Sequence, residues 1–151
     1  MADQMRFDAT GAAGSDWART PNLDRLAASG LRFSQMYNSA RCCPSRAALL
    51  TGLNPHQAGV GHMVNDLGPG PYQGYLNRNC VTIAEVLRDN GYRTLMSGKW
   101  HVGGSFDARS RDEWNPGDET HPMPTQRGFD TYFGLLEAAD SFWNPKSLTL
   151  Q

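Results

Sequence analysis

The sequence is short of cysteine, of long apolar runs and of any surplus of one charge, and each shortage removes a class of protein. Three cysteines occur, Cys42, Cys43 and Cys80. They do not make a disulfide framework, and neighbours such as Cys42 and Cys43 rarely meet disulfide geometry, so at least one cysteine calls for another explanation. No apolar stretch approaches the roughly 20 residues of a membrane span, so no membrane partner is expected. Lys and Arg number 14 against 15 Asp and Glu, for a net charge of −1. That balance gives no electrostatic reason to expect nucleic acid or an anionic membrane as partner. The start, Met1-Ala2-Asp3-Gln4, lacks the basic and apolar stretches of a secretory leader. The compartment stays open, and the complete protein is compatible with the periplasm or with secretion. There is no internal repeat and no low-complexity tract.

What is present suits one domain, or a piece of a larger one: 151 residues, of which 39% are apolar. Thr20 to Gly30 predicts a short helix, with Thr20 as N-cap, Pro21 in the first turn and Gly30 as stop. Leu31 to Tyr37 alternates apolar and polar residues and predicts a strand. Pro44 to Leu50 predicts a helix closed near Gly52. Thr82 and Glu85 have capping-box spacing and predict a helix running to Asn90, with Gly91 as its stop. Tyr92 to Met96 predicts a strand ended by Gly98. Asn54 to Asn79 and Gly103 to Gln126 are polar and rich in Gly and Pro, and loops of that length are often functional. Phe129 to Leu136 is aromatic and predicted to pack on the core, with Trp100, Tyr132 and Trp143 as core or pocket walls. No finishing element is read before Gln151. Alternating helix and strand make an α/β sheet the natural class.

The most informative stretch is Cys42-Cys43-Pro44-Ser45-Arg46-Ala47-Ala48-Leu49-Leu50-Thr51-Gly52. It puts a sulfur at a strand-to-helix turn, where free N–H groups and the helix dipole bind anions and lower thiol pKa values. Arg46, four residues after Cys42, shares its side of the helix, so an anion beside Cys42 would meet a guanidinium fork. A second stretch, Gly91 to Gly103, places Lys99 and His101 after a predicted strand. Ligands bind at such carboxyl ends in open α/β sheets, and residues two apart on extended chain point the same way.

The first stretch resembles the sulfatase signature C-x-P-S-R, a short apolar run and L-T-G, and the second resembles that family's G-Y-x-T-x-x-x-G-K-W-H-x-G. The resemblance implies an alkaline-phosphatase-like α/β sandwich, a mixed central sheet flanked by helices, incomplete in this chain. It implies that Cys42 is oxidised to formylglycine by a formylglycine-generating or sulfatase-maturing enzyme, while Cys43 occupies the variable position. The hydrated aldehyde attacks the sulfur of a sulfate ester, and its second hydroxyl then expels sulfate, dividing one hard step into two. In this scheme Lys99 bridges sulfate and formylglycine, His101 hydrogen-bonds the diol and exchanges protons, and Arg46 neutralises sulfate charge.

Ala2 to Arg6 resembles the family segment whose paired acids hold Ca2+ or another divalent cation. Here Asp3 and Gln4 take that place, with the residue from Cys42 as a further ligand. Asn54 to Met63 resembles the loop after the nucleophile helix, so His62, with His56, is expected to line the substrate pocket. Thr20 to Ala27 and Gln126 to Gly134 also match and read as structural. The family carries an apolar strand before the acid pair, and its remaining ligands lie beyond position 151. Residues 1–151 are therefore expected to be roughly the first third of a typical sulfatase catalytic domain, without its first strand and C-terminal portion, and inactive alone.

The expected substrate is an aryl or carbohydrate sulfate ester. The rival readings are a phosphonate monoester or phosphodiester hydrolase of the same superfamily, a non-catalytic fragment, and, last, a thiol redox protein using Cys42 and Cys43.

Overall fold

The computed structural model describes residues 1–105, 117–137, 143 and 148–151. Part of the long polar loop expected from Gly103 to Gln126, residues 106–116, lies outside them. The chain forms two compact units, Met1–Asn38 and Ser39–Gln151.

The first unit holds a 3-10 turn, Gly11–Ala13, and helix α1, Pro21–Ser29. Thr20 precedes α1 as expected, but its hydroxyl does not cap the helix. It accepts from the Gly11 amide at 2.8 Å and donates to Asp24 Oδ1 at 3.0 Å. Asp24 also takes the Ala12 amide at 2.7 Å, so two polar side chains of the helix start are spent on tying the turn to α1. The strand expected over Leu31 to Tyr37 does not form. Leu31, Phe33, Met36 and Tyr37 are exposed, and this segment joins no ladder among the described residues. Alternation makes an extended segment possible, but a strand needs a partner for its backbone groups.

The second unit begins with α2, Cys42–Thr51. It starts two residues earlier than the proline suggested, so Cys42 is its first residue. Pro44 sits in the first turn, where its missing N–H costs nothing. Gly52 ends the helix in a left-handed conformation, φ 70°, and its amide donates to the Ala48 carbonyl. Helix α3 runs Ile83–Asp89, and its capping box is complete. Thr82 N donates to Glu85 Oε2 at 2.6 Å, and Glu85 N donates to Thr82 Oγ1 at 3.1 Å. α2 and α3 pack against each other.

Three strands form one mixed sheet in the order β1-β2-β3: Leu95–Lys99, Thr131–Leu135 and Leu148–Leu150. β1 and β2 are parallel, with Leu95 opposite Thr131 and Lys99 opposite Leu135, while β3 runs antiparallel to β2. β1 starts three residues later than expected and runs through Gly98, and β3 has no counterpart in the sequence reading. Gly98 and Gly134 face each other in the register, and a Cβ on Gly134 would collide with the Gly98 carbonyl.

Trp100, Tyr132, Leu76, Val60 and Val102 are fully buried together with Cys43 and Ala47 of α2. Each such large side chain contributes about 1.5–3 kcal/mol by leaving water. Trp100 Nε1 donates to the Pro122 carbonyl at 2.9 Å, and its ring meets Phe129 edge-on. Tyr132 and Trp100 thus fill the core as expected. Trp143 does not: it is 96% exposed.

Candidate active site

Cys42 lies at a helix start that leaves its own amide and that of Cys43 ahead of the first intrahelical bond, from Ser45 N to the Arg41 carbonyl at 3.1 Å. Amides at such a position are anion donors. Ser45 fixes the approach to the turn, its Oγ accepting from Ser39 N at 3.2 Å. Arg46, one turn on, is buried, and its guanidinium donates to the Lys99 carbonyl. The two sequence stretches singled out above are therefore joined at this point, α2 to the carboxyl end of β1. Tyr132 adds a second tie, donating from its hydroxyl to the Gly98 carbonyl at 3.0 Å. Burial raises its phenol well above the ordinary range, and the nearby Arg46 charge only partly opposes this.

β1 ends at Lys99. Pairing with β2 nevertheless persists, because Trp100 N and His101 N each donate at 2.8 Å, to the carbonyls of Leu135 and Leu136. His101 then adopts a left-handed backbone, φ 56°, a conformation that costs a non-glycine residue roughly 1–2 kcal/mol. The sequence argument put Lys99 and His101 on one side by strand alternation. The alternation fails at His101 because the strand has ended, and the turn does the aiming instead. The His101 ring is buried, and one of its nitrogens lies with the sulfurs of Cys42 and Cys43 in a group whose atoms are all within 4.8 Å of one another.

Cys43 was assigned to a variable position, yet it belongs to this group. The available signal was its place beside Cys42 in the first turn. Burial, reinforced by the adjoining Cys42, pushes the Cys43 thiol up to about 12, and the positive charges of Lys99 and Arg46 only partly oppose it. At Cys43 desolvation is the dominant influence on the thiol. All three cysteines are free thiols. His62 is exposed on the loop after α2 and stands outside the three-residue group. His56 is also exposed, with its Nδ1 3.0 Å from Asn54 Oδ1 and its ring edge-on to Tyr72.

The donor set around Cys42 in this unit is two sulfurs and an imidazole. It does not fit Ca2+, which takes oxygen ligands. Asp3 and Gln4 offer oxygen but belong to the first unit, where both are exposed. A cavity of about 640 Å³ lies elsewhere, lined by Arg78, Glu85, Arg88, Asp118 and Arg127 among others, and none of the residues around Cys42 borders it.

Comparison with known proteins accounts for the joined stretches. The sulfatase family model matches residues 1–151. Arylsulfatase from Klebsiella aerogenes is 35% identical over 147 residues, covering 95% of this chain and 28% of its own. Human arylsulfatase A is 41% identical over 141 residues, covering 93% and 25%. The chain thus spans about a quarter of the length of these relatives. Among solved structures, Ps i-CgsB superposes with TM-score 0.73 at 34% identity, over 92% of this chain and 27% of that one. It has also been solved with k-i-k-neocarrahexaose. A phosphonate monoester hydrolase of Agrobacterium radiobacter shares the fold at 24% identity and TM-score 0.61, over 94% and 26%. With its whole length matched, this chain belongs to the sulfatase family.

Proposed function

We propose that the complete enzyme carrying this chain hydrolyses sulfate esters, with residue 42 converted to formylglycine as its nucleophile. The observation that carries the reading is the meeting of Cys42, at the start of α2, with His101 just past the end of β1, beside Lys99. A hydrated aldehyde at position 42 supplies one hydroxyl to attack sulfur and a second to release sulfate. The chain's own residues do the rest. The first-turn amides and the Lys99 and Arg46 cations neutralise sulfate charge. His101 takes and returns protons at the reacting hydroxyls. Buried Trp100 and Tyr132 hold the floor beneath them.

Asp3 and Gln4 are the proposed oxygen ligands of a divalent cation. Conversion of Cys42 exchanges its sulfur for oxygen, which brings the donor set closer to what a hard ion takes. His62 is the proposed substrate-facing residue of the loop after α2. The substrate class is an aryl or carbohydrate sulfate, supported by the arylsulfatase relatives and by the oligosaccharide bound to Ps i-CgsB. A formylglycine-generating or sulfatase-maturing enzyme is the proposed partner.

The test is turnover of an aryl sulfate by the complete, matured enzyme and by its Cys42→Ala variant, with mass spectrometry of the Cys42 peptide. An aldehyde at 42 and a loss of roughly 10⁴-fold or more in kcat on substitution are expected, the scale of losing a nucleophile. A variant as fast as the parent overturns the reading. Faster turnover of an aryl phosphonate would move the enzyme to the phosphonate hydrolases.

A further inference from the structure

Two sulfurs and an imidazole within 4.8 Å of one another make an unusual donor set for an enzyme whose resident cation is expected to be hard. Cys43 and His101 are buried and Cys42 half-buried, so the group has both a sheltered floor and an approach from solvent. We infer that, before conversion, Cys42, Cys43 and His101 form a site for a thiophilic d10 cation, with Cu+ held in preference to Zn2+.

The chemistry of the donors selects the class. Thiolate and imidazole suit Cu+ and Zn2+, whereas Ca2+ and Mg2+ take oxygens. Metal–sulfur and metal–nitrogen bonds of about 2.3 and 2.0 Å place such donors roughly 3.5–4 Å apart. The group therefore has to contract by about 1.3 Å at most, within reach of small side-chain rotations. Cys42 and Cys43 already share a hydrogen bond through their side chains. On binding, two S–H bonds break, two metal–sulfur bonds form, and both protons leave to solvent.

The surroundings decide between the two ions. Lys99 and Arg46 both act electrostatically on Cys43. A complex of two thiolates is neutral with Zn2+ and carries one negative charge with Cu+, and only the second is stabilised by those cations. Three ligands also complete a trigonal Cu+ site, whereas Zn2+ in a structural site takes a fourth. Conversion of Cys42 removes one sulfur and so dismantles the site. The existence of the site while residue 42 is a cysteine does not rest on the sulfatase reading.

The experiment uses protein produced without a formylglycine-generating enzyme. Anaerobic competition for Cu+ against bicinchoninate, and for Zn2+ against a chromophoric chelator, measures affinity and stoichiometry. One Cu+ per chain is expected, bound more tightly than Zn2+. Cys43→Ser and His101→Gln, each checked for native circular dichroism, are expected to weaken Cu+ binding by roughly 10–100-fold or more, the range for disturbing even the outer partners of a metal site. Cys80→Ser is expected to bind as the parent does. Cu+ left wholly on the competitor, equal binding by Cys43→Ser and His101→Gln, tighter Zn2+ than Cu+, or a matching loss in Cys80→Ser overturns the proposal.

Discussion

Arg46 holds the Lys99 carbonyl with a guanidinium nitrogen and brings positive charge to Cys43, so one side chain links the charge of the proposed site to architecture. Arg46→Lys keeps the charge but loses the planar fork. We expect it to lower stability by about 1–3 kcal/mol, the cost of stranding a buried polar group, and to lower kcat as well; thermal unfolding and aryl sulfate kinetics measure both. Lys99→Ala, which removes charge from beside the proposed nucleophile, should lower kcat by roughly 10²–10³-fold, the range for losing one stabilising donor, and an unchanged kcat would remove Lys99 from the reaction. At this scale the sequence was legible where a long signature fixes residue type at every step, as from Cys42 to Gly52. The involvement of Cys43 and the left-handed backbone of His101 were not legible, because both depend on what the fold packs around them.

Between β1 and β2 two glycines stand opposite each other, and Gly134 is required because any Cβ there meets the Gly98 carbonyl. Gly134→Ala must push the strands apart. It should destabilise by about 3 kcal/mol, the upper part of the usual overpacking range, and denaturant unfolding of the variant would show it; a shift within error of the parent would mean the strands yield freely. Local signals read well among the elements: the capping box of Thr82 and Glu85 and the glycine stop of α2 need only residues a few positions apart. Non-local ones did not. Leu31 to Tyr37 alternates yet joins no ladder among the described residues, while Leu148–Leu150 pairs with β2, because pairing is decided by a partner distant in sequence.

Across the second unit, Arg127 gathers three segments. It bonds Glu85 Oε1 at 3.0 Å, the Cys80 carbonyl at 2.7 Å and the Asn77 carbonyl at 3.2 Å, tying α3 and the loop before it to the approach to β2. Burial pushes the Glu85 carboxyl up, but the hydrogen bonds and charge of Arg127, with the Thr82 amide, outweigh it and hold the group below its ordinary 4.5. The stabilisation is therefore complete above that value and is lost as pH falls through the lower, folded one. Melting temperature should drop over that acid window in the parent and less steeply in Glu85→Gln. Arg127→Met should cost about 3 kcal/mol at neutral pH, since it leaves a carboxylate stranded. The sequence reading took this segment as packing, which is the role Arg127 plays; its acid partner was recognised only as half of a cap.

The left-handed turn at His101 sets durability against the proposed chemistry at a single position. Asparagine visits that conformation more readily than most residues, its short amide bonding locally, so a laboratory selection for heat resistance alone should drift toward it and yield hardy but idle proteins. Selection that also scores product should keep the imidazole, and the contrast between the two lineages would expose what the backbone concedes to keep that ring in place.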